Sequence, residues 1–277
     1  MEALTFLKSI LLGIFQGLTE FLPVSSSGHI MIASEIFGLD MSGEMLSAFT
    51  VLLHVGTLLA VVIIYFKQLI RMIAHPVKSD LKWLILATLP TVAYALILKK
   101  TGWDSIIDET ARTLLPFAFL LTALLLVLAD GIARNRKIAK TTHKNVRFRD
   151  ALGMGLMQCV GTFTGVSRSG STITAGFAGG LQRNRAAEFS FLMSVPAILG
   201  AAVLEGYEMI GNGELAACVT SSLPMVAAGV LAAFVSGLIA IKLMLHAIRK
   251  LRLKWFSLYL FLLAGVIIVN DFITKLW

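Results

Sequence analysis

Between Glu20 and His29 the chain reads Glu-Phe-Leu-Pro-Val-Ser-Ser-Ser-Gly-His, a carboxylate, three consecutive hydroxyls and an imidazole set between two apolar arms. Such groups cost free energy in apolar surroundings unless they are paired or line a wet cavity, so a cluster of this kind marks a functional site. A second polar stretch, Thr162-Phe163-Thr164-Gly165-Val166-Ser167-Arg168-Ser169-Gly170-Ser171-Thr172, adds the fixed positive charge that the first lacks. Arg168 needs an anionic partner, either Glu20 or a ligand, and its planar fork suits phosphate or carboxylate. Each stretch opens a short helix whose free N–H groups and positive dipole end favour an anion. Two such helix ends, an arginine, several hydroxyls, a histidine and a carboxylate fit phosphate-ester or phosphoanhydride chemistry better than any apolar substrate.

The elements that must hold these residues follow from the flanking sequence. Pro23 has no N–H to donate and biases Leu22 towards extended backbone, which stops the first helix. Ser25, Ser26 and Ser27 are good N-cap residues for a second. The arms, residues 3 to 20 and 28 to 38, are shorter together than two crossings of about 20 residues each would need, so they read as a re-entrant hairpin. Spans are expected at 48 to 66, 81 to 98 and 113 to 133, followed by a basic linker at 134 to 149. A second short pair, 151 to 163 and 170 to 182, is followed by spans at 186 to 206, 222 to 245 and 254 to 274. In the first arm, Gly13-x-x-x-Gly17 is a small-residue face on which another helix can pack closely.

This order is a repeat. A shift of 142 places Gly13, Gln16, Phe21, Val24, Ser25, Ser27 and Gly28 on identical residues at 155, 158, 163, 166, 167, 169 and 170. A shift of 140 matches Phe49, Leu52, Val55 and Leu59 to Phe189, Leu192, Val195 and Leu199. A hairpin that returns to its own side plus three spans makes an odd number of crossings, so the two copies must be inverted. The gaps at 67 to 82, 134 to 149, 183 to 185 and 242 to 254 carry most of the Lys and Arg, whereas 205 to 222 holds Glu205, Glu208 and Glu214 and no basic residue. The basic gaps are therefore expected in the cytoplasm and both termini outside, with the hairpin tips meeting inside the membrane. The expected fold is an all-α polytopic membrane protein of two inverted repeats, one integral domain over 1–277. Repeat one covers about 1–133, the linker 134–149, and repeat two about 150–277.

Composition excludes much else. With 57% hydrophobic and 14% charged residues and a mean hydropathy of +0.84, the 277-residue chain has too little polar surface for a soluble globule. The net charge of +8 lies in short gaps between apolar runs, which reports cytoplasmic loops rather than nucleic-acid binding. Lys8 alone precedes an apolar run containing Gln16 and Glu20, so the N-terminus does not read as a cleavable signal peptide. Cys159 and Cys218 show no metal-ligand spacing and read as small buried apolar residues. Ser171 and Thr174 read as backbone-bonded hydroxyls, His54 as a packed polar residue, and Glu188 as a structural partner of Arg183 or Arg185. His75, His143 and His246 sit in or near basic gaps.

Gln16-x-x-x-Glu20 followed by Phe21-Leu22-Pro23-Val24-Ser25-Ser26-Ser27-Gly28-His29, with Gly165-Val166-Ser167-Arg168-Ser169-Gly170-Ser171-Thr172 further on, resembles the bacterial undecaprenyl-diphosphate phosphatases, the bacitracin-resistance family. The similarity covers nearly the whole chain, including Glu188-Phe189-Ser190-Phe191-Leu192. It implies hydrolysis of undecaprenyl diphosphate to the monophosphate at the outer face of the bacterial cytoplasmic membrane, recycling the cell-wall lipid carrier, with a divalent cation, Mg2+ or Ca2+. On the matching positions it implies roles for Glu20, Ser26, His29, Ser167, Arg168, Ser169 and Thr172. Two positions depart from the pattern: Gln16 stands where many members have a second Glu, and Thr164 replaces the usual Pro. Glu20 is thus the candidate metal ligand and Gln16 a weak one. Lipid phosphatases with a histidine nucleophile also carry Ser-Gly-His, but the histidine they place five residues after Ser-Arg is Thr174 here, so that mechanism does not apply.

The resulting expectation makes Ser26, His29, Glu20 and Arg168 catalytic and Ser25, Ser27, Gly28, Ser167, Ser169, Gly170 and Thr172 substrate-binding. Ser26 attacks the terminal phosphorus, and His29, one i to i+3 step on, takes its proton. Ser27 or an activated water are the other nucleophiles left open. The alternative function is a lipid-phosphate or anion transporter using the same midplane site. Expected partners are the polyprenyl diphosphate lipid and the bilayer. Oligomeric state is open, a homo-oligomer included.

Overall fold

A computed structural model describes residues 5–39, 43–211, 213–250 and 252–271. Among these residues the helices are α1 (Phe6–Phe21), α2 (Ser26–Ile36), α3 (Gly43–Ala74), α4 (Leu81–Thr101), α5 (Trp103–Ile138), α6 (Phe148–Val160), α7 (Arg168–Gly179), α8 (Arg183–Gly211), α9 (Glu214–Lys250) and α10 (Lys254–Val269). An isolated bridge between His143 and Leu181 is the one β feature among the described residues. The fold is all-α, as the sequence predicts. Among the described residues, five helices, α3, α4, α5, α8 and α9, are long and apolar enough to cross a membrane. Their outer faces present large apolar side chains such as Ile63, Phe66, Leu89, Leu96 and Leu124.

The two short pairs form where Pro, Ser and Gly place them. Leu22 caps α1 in extended backbone (φ −71°, ψ 146°), the conformation that the following Pro23 enforces. Ser25 is the N-cap of α2 and its Oγ accepts from the Gly28 N–H at 3.5 Å. Ser167 caps α7 in the same way, accepting from the Gly170 N–H at 3.0 Å. The Ser25 and Ser27 hydroxyls lie 3.3 Å apart, and those of Ser167 and Ser169 3.2 Å apart. The repeated Ser-x-Ser-Gly is therefore a repeated capping structure. Only the first copy is strained: Ser25 has φ +71°, a region that costs a non-glycine residue of order 1–3 kcal/mol.

Small residues set the helix packing. α1 lies chiefly on α9, α6 lies on α4, and α3 packs against α8 and α9, while α10 packs against α5. A Cβ added at Gly13 would fall 2.2 Å from the Gly229 carbonyl oxygen, and one at Gly17 2.0 Å from Ser236 Oγ. In the second hairpin a Cβ at Gly155 would fall 2.4 Å from the Ala87 carbonyl oxygen. The Gly-x-x-x-Gly face is thus filled by the backbone of α9. Phe21, Phe189 and Phe191 fill the centre with negligible exposure, Phe21 and Phe191 meeting edge to face at 5.7 Å.

Contacts at the helix termini define two ends of the bundle. At one, Arg183 pairs with Asp130, the Lys254 N–H donates to Asp130 at 2.9 Å, and Arg185 pairs with Asp80. At the other, Arg112 binds Glu35 at 2.6 Å and grips Asp271 through two nitrogens at 2.9 and 3.0 Å. The expected loops are shorter than the sequence implies. The segment 205 to 222 is mostly helix, because α8 runs to Gly211 and α9 starts at Glu214, with Gly213 at φ +75° turning the chain. The gaps 99 to 112 and 242 to 254 are likewise largely helical, and α5 extends into the linker as far as Ile138. Charged residues end the apolar run but not the backbone hydrogen-bond ladder, so hydropathy places helix ends too early. The expected span 254 to 274 is the 16-residue α10; positions 272 to 274 lie outside the described residues.

Gly17→Val should lower the thermal midpoint of the purified protein in detergent, at a cost of about 3 kcal/mol or more, because the clash is with backbone and a short side chain. Gly131→Ala, which meets nothing within 4 Å on α5, should leave the midpoint unchanged or raise it.

Candidate active site

The hairpin tips meet inside the bundle, and Glu20 is the point at which they join. Its Oε1 accepts from Arg168 Nη2 at 2.7 Å across the two hairpins. Its Oε2 accepts from Ser26 Oγ at 2.7 Å and from Gln16 Nε2 at 3.1 Å. His54 Nε2 stands 3.6 Å from the same oxygen. Two further bonds tie the tips: Gly165 N–H donates to Ser27 Oγ at 3.3 Å, and Ser169 Oγ donates to the Leu22 carbonyl at 3.1 Å. Glu20 is 7% exposed and Gln16 fully buried. A carboxylate so buried is tolerable only with a cation and several donors on it, which this arrangement provides.

The cluster forms the floor of a cavity of about 390 Å³ between α1, α3, α4, α6 and α8. Glu20, Ser25, Ser26, Ser27, His54, Ser167 and Arg168 line it, together with Thr88, Thr91 and Gln158. Its upper walls are apolar, with Val92 and Ala95 on α4 and Ile198, Ala201 and Leu204 on α8. Lys99 and Glu205, near the C-terminal ends of α4 and α8, mark its mouth at the Glu35–Arg112 end of the bundle. Arg168 Nη1 and Gln16 Oε1 are buried without a hydrogen-bond partner. An unpaired guanidinium nitrogen beside a cavity is a donor for an anion that enters it.

Of the site residues singled out from sequence, Glu20, Ser25, Ser26, Ser27, Ser167 and Arg168 line the cavity, Gln16 is bonded to Glu20 behind it, and five do not reach it. Ser169 faces the Leu22 carbonyl and Ser167 Oγ. Thr172 is fully buried and bonds Ser190 Oγ at 2.7 Å, tying α7 to α8. Gly28 packs under Phe119, from which a Cβ would be 2.7 Å away, and Gly170 sits within its capping turn. His29 lies behind the tip, with Nδ1 2.7 Å from the Ser25 carbonyl and Nε2 2.7 Å from Tyr259 Oη, its ring stacked on Tyr259. The expected Ser26 to His29 proton relay is therefore not assembled: both ring nitrogens are engaged elsewhere, and the Ser26 proton points to Glu20. One helical step brings two residues to the same face, but the strained cap at Ser25 turns Ser26 across to α1 instead.

Sequence reasoning missed His54, Thr91 and Tyr259. Thr91 Oγ1 accepts from Gln158 Nε2 at 3.0 Å, leaving Gln158 Oε1 unpartnered as its counterpart Gln16 Oε1 is. The available signal for His54 was an imidazole alone in an apolar span, which needs a partner. Nothing in the sequence joins Tyr259 to His29, 230 positions away. For a cation the donor set is thin. No group of three His, Cys, Asp or Glu occurs among the described residues, so a protein-only cage does not fit, while the unpartnered Gln16 Oε1 beside Glu20 leaves one free oxygen for a shared ion.

Residues 9–266 match the family model described as bacitracin resistance protein BacA. Three curated relatives are similar over almost their full length. The undecaprenyl-diphosphatase of Carboxydothermus hydrogenoformans is 38% identical over 266 residues, covering 95% of this chain and 96% of that protein. That of Rubrobacter xylanophilus is 38% identical over 278 residues, 95% of this chain and 97% of its own. Undecaprenyl-diphosphatase 4 of Bacillus thuringiensis strain Al Hakam is 37% identical over 267 residues, 96% and 97% of the two chains. With the match spanning both hairpins and every residue of the cavity floor, the chain belongs to the bacitracin resistance protein BacA family.

Proposed function

We propose that this chain hydrolyses undecaprenyl diphosphate to undecaprenyl phosphate and inorganic phosphate at the outer face of the bacterial cytoplasmic membrane, and thereby contributes to bacitracin resistance. The observation that carries this reading is Ser26 Oγ donating to Glu20 Oε2 at 2.7 Å beside an arginine with a free buried nitrogen. A nucleophile, a proton acceptor and an anion clamp thus share one cavity floor. The apolar walls above suit the polyprenyl chain, and the membership and names of the relatives point the same way. The cavity mouth lies at the end of the bundle where the Glu-rich 205 to 222 segment turns, opposite the basic gaps, which supports an outer-face site. The order hairpin plus three helices occurs twice, α1 to α5 and α6 to α10. The exchange of partners, α1 on α9 and α6 on α4, is what an inverted repeat would produce.

The chemistry follows from the distances. The terminal phosphoryl enters over Ser26, with Arg168 Nη1 donating to its oxygens. Ser26 Oγ forms a bond to phosphorus while the bridging oxygen departs with the lipid monophosphate, and the seryl proton passes to Glu20. Water then attacks the phosphoserine, and Ser26 leaves with the proton held on Glu20, releasing phosphate. His54 faces the same oxygen of Glu20 and orients it. His29 holds the Ser25 carbonyl, and through it the tip that aims Ser26. A divalent cation brought with the diphosphate would find Glu20 and Gln16 Oε1 as its protein oxygens and would neutralise phosphate charge there. Ser25, Ser27 and Ser167 complete the polar floor, with Ser169, Thr172 and the two tip glycines shaping it from behind.

Phosphate release from undecaprenyl diphosphate by purified protein in detergent, with no gradient, separates hydrolysis from transport. Ser26→Ala should lower that rate by at least ~10³-fold with lipid binding retained, and Glu20→Gln should match it. Near-normal turnover in Ser26→Ala would transfer the role of nucleophile to Ser27 or water. His29→Ala should be severely impaired at every pH, because it removes support for the tip; recovery at high pH would mean instead that a general base had been lost.

Arg168→Lys keeps the charge and loses the fork, so activity should fall by ~10²-fold or more; a normal rate would reduce Arg168 to a counter-ion. For the orientation, Cys159 and Cys218 are first replaced by Ser. A cysteine at 213 should then react with an impermeant thiol reagent from outside the cell and one at 140 should not; the reverse pattern would invert the arrangement.

A further inference from the structure

A second cavity, about 600 Å³, opens at the opposite end of the bundle, between the C-terminal turns of α3, the turn into α4 and the first turns of α8. It shares no residue with the catalytic cavity. Lys67 and Arg71 lie one turn apart on α3 and line it; both are exposed, and neither has an ion-pair partner among the described residues. Arg185 on the facing side is already committed, pairing with Asp80 and, at 3.0 Å, with Glu188. The lining charges are thus three positive, Lys67, Arg71 and Arg185, against two negative, Asp80 and Glu188, a net of +1.

Two further observations point to a ligand. Tyr65 lines the same cavity at 7% exposure, and its buried hydroxyl has no hydrogen-bond partner. A buried hydroxyl with nothing to donate to is destabilising, and an acceptor entering the cavity removes that cost. The N-terminus of α4 also faces this space: Ser79 and Asp80 line it, and Asp80, at the N-cap, makes no capping bond because its carboxylate is turned to Arg185. Ser79 Oγ accepts from the Leu81 N–H at 3.3 Å, and the amides of Lys82 and Trp83 in the first turn of this 21-residue helix are left to favour an anion.

The surroundings choose among anions. A net +1 site balances one negative charge, which is that of a phosphodiester. On α3 the turns that carry Lys67 and Arg71 also expose Phe66 and Ile70, at 57% and 52%, with Ile73 beyond them. Apolar residues beside a basic cavity at a helix end are what an acylated ligand needs, with the headgroup inside and the chains along the helix. We propose that this cavity binds the phosphodiester headgroup of an anionic lipid in the leaflet at the basic end of the bundle. The phosphate takes the free charges of Lys67 and Arg71 and the Tyr65 hydroxyl, and the acyl chains run over Phe66 and Ile70. The site is independent of hydrolysis and stands whether or not the proposed phosphatase reaction does.

The test uses the full-length protein in neutral detergent, with the thermal midpoint and the lipid adducts in native mass spectra read during titration with phosphatidylglycerol, phosphatidylcholine or inorganic phosphate. Phosphatidylglycerol should raise the midpoint saturably by ~2 °C or more and add a retained lipid, while the other two should not. Lys67→Gln with Arg71→Gln, both at exposed helix positions, should abolish the rise while phosphate release from undecaprenyl diphosphate stays at the wild-type rate. Tyr65→Phe should weaken binding about tenfold. An equal rise with phosphatidylcholine, or an undiminished response in the double variant, would overturn the site. A rise with inorganic phosphate alone, lost in the double variant, would overturn a lipid as its occupant.

Discussion

The ion pair between Glu20 and Arg168 is the constraint on which the rest depends. Each charge sits on a hairpin tip inside the apolar bundle, and neither could remain there alone, since leaving one partner of a buried pair uncompensated typically costs about 3–5 kcal/mol. Meeting at 2.7 Å requires both hairpins to stop at the same depth. That in turn requires Pro23 and the two serine caps to break the helices where they do, and glycines at 13, 17 and 155 to let the hairpins press against α9 and α4. The pair is also incomplete: Arg168 spends one nitrogen on Glu20 and keeps another unpartnered, so the contact that holds the tips together leaves a donor free.

Architecture and chemistry divide along the same line. The two hairpins supply Glu20, Arg168 and the serines of the floor, α3 adds His54 and α4 adds Thr88 and Thr91, and the long helices α4 and α8 supply the apolar walls. The site therefore presents its charge at the bottom and its hydrocarbon-like surface towards the mouth, an order suited to a ligand whose head is ionic and whose tail belongs in the bilayer. The two bundle ends differ as well. Arg112, Glu35 and Asp271 lock α5, α2 and the chain after α10 at one end, where Arg112 holds the Asp271 carboxyl below the usual carboxylate range. Asp130, Arg183 and the amide of Lys254 lock α5, α8 and α10 at the other.

The sequence made the fold legible wherever a local rule forces the outcome. Pro23 and the Ser-x-Ser-Gly copies set the hairpin breaks, Gly13 and Gly17 the close helix contact, and the apolar runs the long helices. It was weaker on helix ends, because Glu205 and Glu208 end the apolar run but not the backbone hydrogen bonding. Within the site, residue types and the pairing of Glu20 with Arg168 could be read, since each charge needs an opposite one. Which side chain faces which could not. Ser26 turns to Glu20 because Ser25 adopts φ +71°, and His29 turns to Tyr259 on a helix far along the chain; neither fact is written in the spacing of Ser26 and His29.

The separation of Glu20 from Arg168 by 148 residues bears on how the protein is made. Synthesis runs from the N-terminus, so the acidic hairpin exists well before its arginine has been translated. The other groups on its carboxylate, Gln16, Ser26 and His54, all lie within the first 54 residues and so exist before Arg168 does. The first repeat thus carries its own temporary solvation for a charge that the second repeat later neutralises. A chain halted before residue 168 contains Ser26 and Glu20 but lacks the guanidinium that completes the cavity floor, so the cluster is assembled only once the second hairpin has been made.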